Sequence, residues 1–225
     1  MYRVTGITTI AALLPSLAGD HVNLAALIAD AERKREANVE EVRSLRQYTL
    51  RNRRWKSDAV MHARMITSAD RLKRYEVLSM HAEGLAKRIL MKILEGEVEA
   101  AARKDRDGLV NPTNYELRLL PAEIIDTQTC RHVELIPKRR TKFNFDGRGC
   151  VDMNDLAMVR MEGRTAKNVS FFIGKAYVVQ EFRKVGQSWY SSTTYSTADV
   201  KFLGKTELFI DYQDYTITPK QAALR

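Results

Sequence analysis

Two cysteines in 225 residues exclude a disulfide-dense scaffold, and Cys130, Cys150 and a nearby His132 fall short of a four-ligand zinc set. No run of eighteen apolar residues is present, so no helix long enough to cross a membrane is expected. No Gly/Ser/Pro-rich linker, low-complexity tract or internal repeat divides the chain. Catalytic signatures are equally scarce. There is no G-x-S-x-G, no G-x-x-x-x-G-K-[ST] and no G-x-G-x-x-G, and the four histidines are scattered at positions 21, 62, 81 and 132. His62 and His81 sit on strands that can neighbour one another, but no carboxylate spacing supports a metal between them. Asp146, Asp152, Asp155, Asp211 and Asp214 flank turns, where short carboxylates bond to the backbone. An enzyme is disfavoured, and no cofactor or metal is expected.

What is present is a 44% hydrophobic, 29% charged composition with a net charge of +9, a globular profile open to acidic partners. The N-terminus has a basic start at Arg3, an uncharged stretch from Val4 to Leu14, and small residues at Ser16 and Ala18. This pattern fits a signal peptide over residues 1–18, which implies export to the periplasm; the competing reading is a cytosolic N-terminus packed as a short helix.

From Asn23 to Val42, Leu24, Leu27, Ile28, Ala31, Val39 and Val42 recur at helical spacing, with Asp20 or Asn23 as the cap. After Arg43 the pattern alternates. Tyr48, Leu50 and Asn52 share one strand face, and two further strands, Ala59 to Ser68 and Arg71 to Met80, complete an antiparallel meander. A second helix over Leu85–Arg103 carries a broad apolar face, with Leu90, Ile93 and Leu94 aimed at the sheet. The remainder reads as strands at Tyr115–Ile125, Thr129–Pro137, Lys142–Met153, Leu156–Gly163, Val169–Lys184, Trp189–Ser196, Val200–Leu203 and Thr206–Thr218. The fold class is therefore α+β, a large curved antiparallel sheet with two helices on its concave face, forming one domain over 19–225. The space between helix and sheet is either an apolar cavity for a long-chain ligand or is filled by side chains.

Two local features remain open. A turn centred near residue 140 sets Cys130 opposite Cys150, and these are either a disulfide or two buried thiols. Ten Lys or Arg fall between Arg43 and Tyr75 against Asp58 and Asp70, and Arg51, Arg53, Arg54, Lys56, Arg71, Lys73 and Arg74 form a candidate basic surface patch. Such a patch suits an anionic lipid surface, an acidic envelope protein or nucleic acid, or is a solvated outer face; export removes nucleic acid.

Cys130–Pro137 (C-R-H-V-E-L-I-P), Phe145–Asp152 (F-D-G-R-G-C-V-D), the strand Leu156–Glu162, Val200–Gly204 and Asp211–Tyr215 resemble the outer-membrane lipoprotein-sorting family, the LolA/LolB-like periplasmic carriers. The likeness runs from about residue 43 to 217. It departs at Cys150, where relatives often carry a bulky aromatic, and no single Arg of the first strands matches the family's lid-latching Arg. The resemblance implies a half-open barrel with a helical lid and an apolar cavity that binds lipid or lipoprotein acyl chains without catalysis; the chain is expected to be a monomer. On that fold the cavity lining falls to Leu90, Ile93, Leu94, Tyr48, Leu50, Phe145, Met158, Phe172 and Tyr177. The alternative is an envelope interaction or sensor module using the basic strands.

Overall fold

A computed structural model describes residues 23–103, 108–121 and 130–221, so the expected signal peptide lies outside the described residues. Helix α1 spans Leu24–Arg35, and the Asn23 side chain accepts the Ala26 N–H at its start. It ends earlier than the apolar spacing suggests. Arg33, Lys34 and Arg35 occupy the last turn, where cations suit the helix dipole, and the Glu36 N–H closes it on the Glu32 carbonyl. Val39 and Val42 belong instead to a strand, where branched side chains fit better.

Among the described residues the ten strands are β1 (Val39–Asn52), β2 (Ala59–Ser68), β3 (Lys73–His81), β4 (Tyr115–Leu119), β5 (Cys130–Pro137), β6 (Phe145–Asp152), β7 (Ala157–Thr165), β8 (Tyr177–Val185), β9 (Ser188–Val200) and β10 (Gly204–Pro219). Helix α2 (Gly84–Ala102) is inserted between β3 and β4. All strands form one antiparallel sheet in the order β3-β2-β1-β10-β9-β8-β7-β6-β5-β4. The sheet is curved and does not close, because β3 and β4 remain its edges. The expected α+β class is the observed one. Two extended stretches differ: 169–176 is a loop touching the sheet through one Ile173–Val200 bridge, and Val200 ends β9, with 201–203 forming the turn into β10.

Register defines the two faces. Tyr48 pairs with Met61 on one side and Ile210 on the other, and the row continues through Thr194 and Gln180 to Met161. This inner face carries both cores. Ala86, Ile89, Leu90 and Leu94 of α2 bury against Tyr48, Leu50, Met61, Ala63 and Met65. Leu24 and Ile28 of α1 bury against Tyr115, Val133, Leu135, Val151, Met158 and Met161. Each helix thus covers one wing, α2 over β1–β3 and α1 over β4 and β7. Between the wings, the inner-facing Val178, Gln180, Thr194 and Ser196 of β8 and β9 are half-buried.

Gly147 and Gly163 face each other across β6 and β7, and a Cβ on Gly147 would lie 2.5 Å from the Gly163 Cα. Only the missing side chains let the backbones meet there.

The structure joins Cys130 to Cys150 as a disulfide with 5.6 Å between their Cα atoms. Their strands are offset from the expected register. Cys150 stands opposite His132 and Cys130 opposite Asp152, so the bridge is diagonal and lies on the outer face. The reason is the long connection 138–144, which moves the turn's centre beyond residue 140. The oxidised chain is expected to weigh two hydrogen atoms less than the reduced one. The bridge closes a loop with a sequence separation of 20. Replacing both cysteines with Ser is expected to lower unfolding stability by about 3 kcal/mol, read by urea titration, because a loop of this length is released in the unfolded chain.

Candidate functional site

The alternation that buries Tyr48 and Leu50 also turns Arg46 inward, and it is only 7% exposed. On α2, Glu97 follows Leu90 and Leu94 on the apolar stripe and meets it. The Arg46 guanidinium bonds to the Glu97 carboxylate and to Ser44 Oγ (3.2 Å), and it lies 4.7 Å from the Tyr212 ring centroid. Tyr48 donates its hydroxyl to Glu97 Oε1 at 3.1 Å, and Lys73 Nζ lies 3.4 Å from Oε2. Tyr212 in turn shares a 3.1 Å hydrogen bond with Thr194. One carboxylate therefore ties α2 to β1 and β3 within an otherwise apolar contact.

Burial alone would raise the Glu97 carboxyl. The charges of Arg46 and Lys73 and the bonds from Arg46 and Tyr48 outweigh it and hold the group at about 2. Burial and the adjacent carboxylate push the Tyr48 hydroxyl up, so it stays a donor. Desolvation pulls the Lys73 amine below its usual range, against the pull of Glu97. At neutral pH Glu97 is thus a poor proton acceptor and a firm ionic anchor.

The C-terminal part of α2 reaches the opposite wing. Glu99 pairs with Lys142 of the β5–β6 turn at 2.7 Å, and the Arg103 guanidinium stands 5.8 Å from the Phe143 ring centroid. The end of the sheet where α1 terminates is sealed by polar contacts. Arg71 of the β2–β3 turn pairs with Glu32 of α1 (3.6 Å) and with Glu36, which caps the helix's C-terminus (2.6 Å). Asp155 accepts from Lys184 (2.6 Å) and the Trp189 indole (2.8 Å), while its carbonyl accepts from Arg35.

Of the residues expected to line a cavity, Tyr48, Leu50, Leu90 and Leu94 meet under α2, with Ile93 packed at the margin of that cluster. Phe145 and Met158 belong to the separate α1 cluster. Phe172 sits 56% exposed on the 166–176 loop. Tyr177 is three residues from the inward Gln180, which places it on the outer face. An open depression of about 290 Å³ lies along Val179, Glu181, Thr193, Tyr195, Phe209 and Asp211, on the face away from α2.

The expected basic patch also divides. Arg53, Arg54 and Lys56 lie in the β1–β2 turn, whereas Arg71, Lys73 and Arg74 lie at the other end of β2, roughly 33 Å away for a ten-residue strand. Several of its charges are used internally: Arg51 by Asp58, Arg71 by Glu36, Lys73 by Glu97 and Arg74 by Glu41. His62 bonds to Ser79 (2.9 Å) and Gln47 (3.3 Å) rather than to His81. Cys130, His132 and Cys150 bring their donor atoms within 4.8 Å, with both sulfurs taken up in the disulfide.

The network yields two expectations. Arg46→Met leaves a buried carboxylate short of its main partner and is expected to cost about 3–5 kcal/mol, whereas Arg46→Met with Glu97→Leu costs less than the single change. The Glu97 carboxyl is depressed from 4.5 to about 2 on folding. Its contribution, of order 3 kcal/mol, is complete above pH 4.5 and lost as pH falls toward 2. Urea midpoints across that range should show the acid-side loss in the native chain and a smaller loss in Glu97→Gln.

No family model matches the chain, and no curated protein matches it. Solved structures do. A domain from Vibrio parahaemolyticus named for outer membrane lipoprotein sorting matches at 12% identity and a TM-score of 0.46, over 90% of this chain and 94% of that one. A LolA superfamily protein from Nitrosomonas europaea matches at 11% identity and a TM-score of 0.43, over 85% and 93%. A DUF1329 family protein from Desulfovibrio piger matches at 12% identity and a TM-score of 0.43, over 90% and 92%. The solved structures to which this chain is similar thus include one named for lipoprotein sorting and one named for the LolA superfamily.

Proposed function

We propose that the chain is a non-enzymatic periplasmic carrier for outer-membrane lipoprotein sorting, and that it holds acyl chains of a lipid or lipoprotein between α2 and the inner sheet face. The supporting observation is the contact under α2, where an apolar surface is pinned by one buried carboxylate. Ile89, Leu90 and Leu94 lie on Tyr48, Leu50 and Met61, a surface that an acyl chain matches chemically. Moving α2 aside for such a chain keeps apolar area covered, since the ligand replaces the helix stripe. The ionic anchor at Glu97 sets how readily that exchange happens, because breaking it leaves a largely buried carboxylate without its cationic partners.

In this reading Tyr48, Leu50, Leu90, Ile93 and Leu94 form the binding surface. Phe145 and Met158 hold α1 instead. The alternative use of the first strands as a basic docking face loses support from the internal pairing of Arg51, Arg71, Lys73 and Arg74.

A fluorescent fatty acid titrated into the protein is expected to bind with saturation. Leu90→Asp should abolish uptake and Leu90→Met should retain it, with circular dichroism on the same samples confirming that each variant is folded. Native chain that takes up no such probe, and carries no co-purified acyl chain by mass spectrometry, would overturn the carrier reading.

A further inference from the structure

The largest exposed aromatic side chains lie together at the end of the sheet opposite the α1 seal. Phe171 and Phe172 on the β7–β8 loop are 78% and 56% exposed, and Phe202 in the β9–β10 turn is 83% exposed. Three loops are bound into one rim there. The Lys201 N–H bonds to the Phe172 carbonyl at 2.8 Å, and Ile173 bridges to Val200. The Arg54 guanidinium donates to the Phe202 carbonyl, and the Asn52 amide reaches Leu203 O at 3.3 Å. The phenylalanines are therefore presented at fixed positions. Phe171 and Phe172 also pack edge to face at 5.1 Å.

Charge around them is mainly of one sign, with Asp199 exposed at the end of β9 beside the loop. Residues 53–58, 166–176 and 201–203 contain Arg53, Arg54, Lys56, Lys167, Lys175 and Lys201, all exposed, against Asp58 alone. That carboxylate is already paired with Arg51 at 2.7 Å. The Lys201 ammonium lies 3.5 Å from the Phe171 ring centroid, so cation and aromatic ring already sit side by side. Aromatic tips projecting among cations fit a surface with anionic groups above an apolar layer, where rings enter the interface and Lys or Arg stay at the head groups.

We propose that this rim docks on an anionic phospholipid bilayer, through Phe171, Phe172 and Phe202 inserted at the interface and the six cations at the head groups. The proposal does not depend on cargo binding, since Phe171, Phe172 and Phe202 point to solvent and lie outside the cluster under α2, while Ile173 and Leu203 of the same loops pack against it.

Flotation of the full-length chain with vesicles tests it. Vesicles of phosphatidylcholine containing phosphatidylglycerol should carry the native chain upward, and raised salt should weaken that association. Phe171→Ser with Phe172→Ser and Phe202→Ser should reduce the partition coefficient about tenfold or more, since exposed rings contribute to binding and little to folding. Both chains share the same N-terminal segment, so its own affinity for lipid cancels in the comparison. Fatty-acid uptake by the triple variant should stay native, which separates this proposal from the carrier reading. Equal flotation of native and triple-variant chains, or equal binding to pure phosphatidylcholine, would overturn it. A native chain that stays off the vesicles would also overturn it and leave a protein partner as the occupant of the rim.

Discussion

The wing of this protein under α2 is organised around one largely buried carboxylate. Glu97 lies on the face of α2 that packs onto β1–β3, and an ionised group in that position is tolerated only with charge and hydrogen bonds brought to it. Arg46, Tyr48 and Lys73 supply them from two strands. The apolar stripe of α2 is not selective about where along the sheet it lies, since Leu90 and Leu94 are satisfied by any greasy surface. The ionic anchor removes that freedom. It fixes the position of the helix as well as adding stability, because the charges and bonds from Arg46, Tyr48 and Lys73 outweigh the cost of desolvation.

The rest of the architecture follows from covering an open sheet. Among the described residues, ten strands leave two edges and one long inner face, too wide for a single helix. Two helices divide it, α2 over β1–β3 and α1 over β4 and β7, and the face of β8 and β9 between them stays half-buried. Polar seals at Arg71 and Asp155 close one end, whereas the other carries the exposed aromatic rim. The edge strand β4 is five residues long and presents Glu116 and Arg118, which discourages pairing with another chain.

What the sequence makes legible is local. The β1–β3 meander, the stripe on α2 and its place between the third and fourth strands all come from periodicity and turn residues within short windows. Contacts between distant residues are not legible in that way. The ten cations of the first strands read as one patch because nothing nearby in sequence shows that Arg71 finds Glu36 or that Lys73 finds Glu97. The Cys130–Cys150 register differs from the expected one because the length of an irregular turn cannot be read from its composition. The sequence does carry a signal for Arg46 and Glu97. Arg46 shares the strand face of Tyr48 and Leu50, and Glu97 sits seven residues, about two turns, after Leu90. A charge on each of two apolar faces is what a buried ion pair looks like in sequence.

Amide hydrogen exchange across α2, in the native chain and in Arg46→Met with Glu97→Leu, tests the anchor most directly. If the carboxylate network positions the helix, residues 84–102 of the double variant exchange faster than in the native chain, while β1, β2 and β10 keep their protection. Unchanged protection in α2 would contradict the account and assign the helix's place to apolar packing alone.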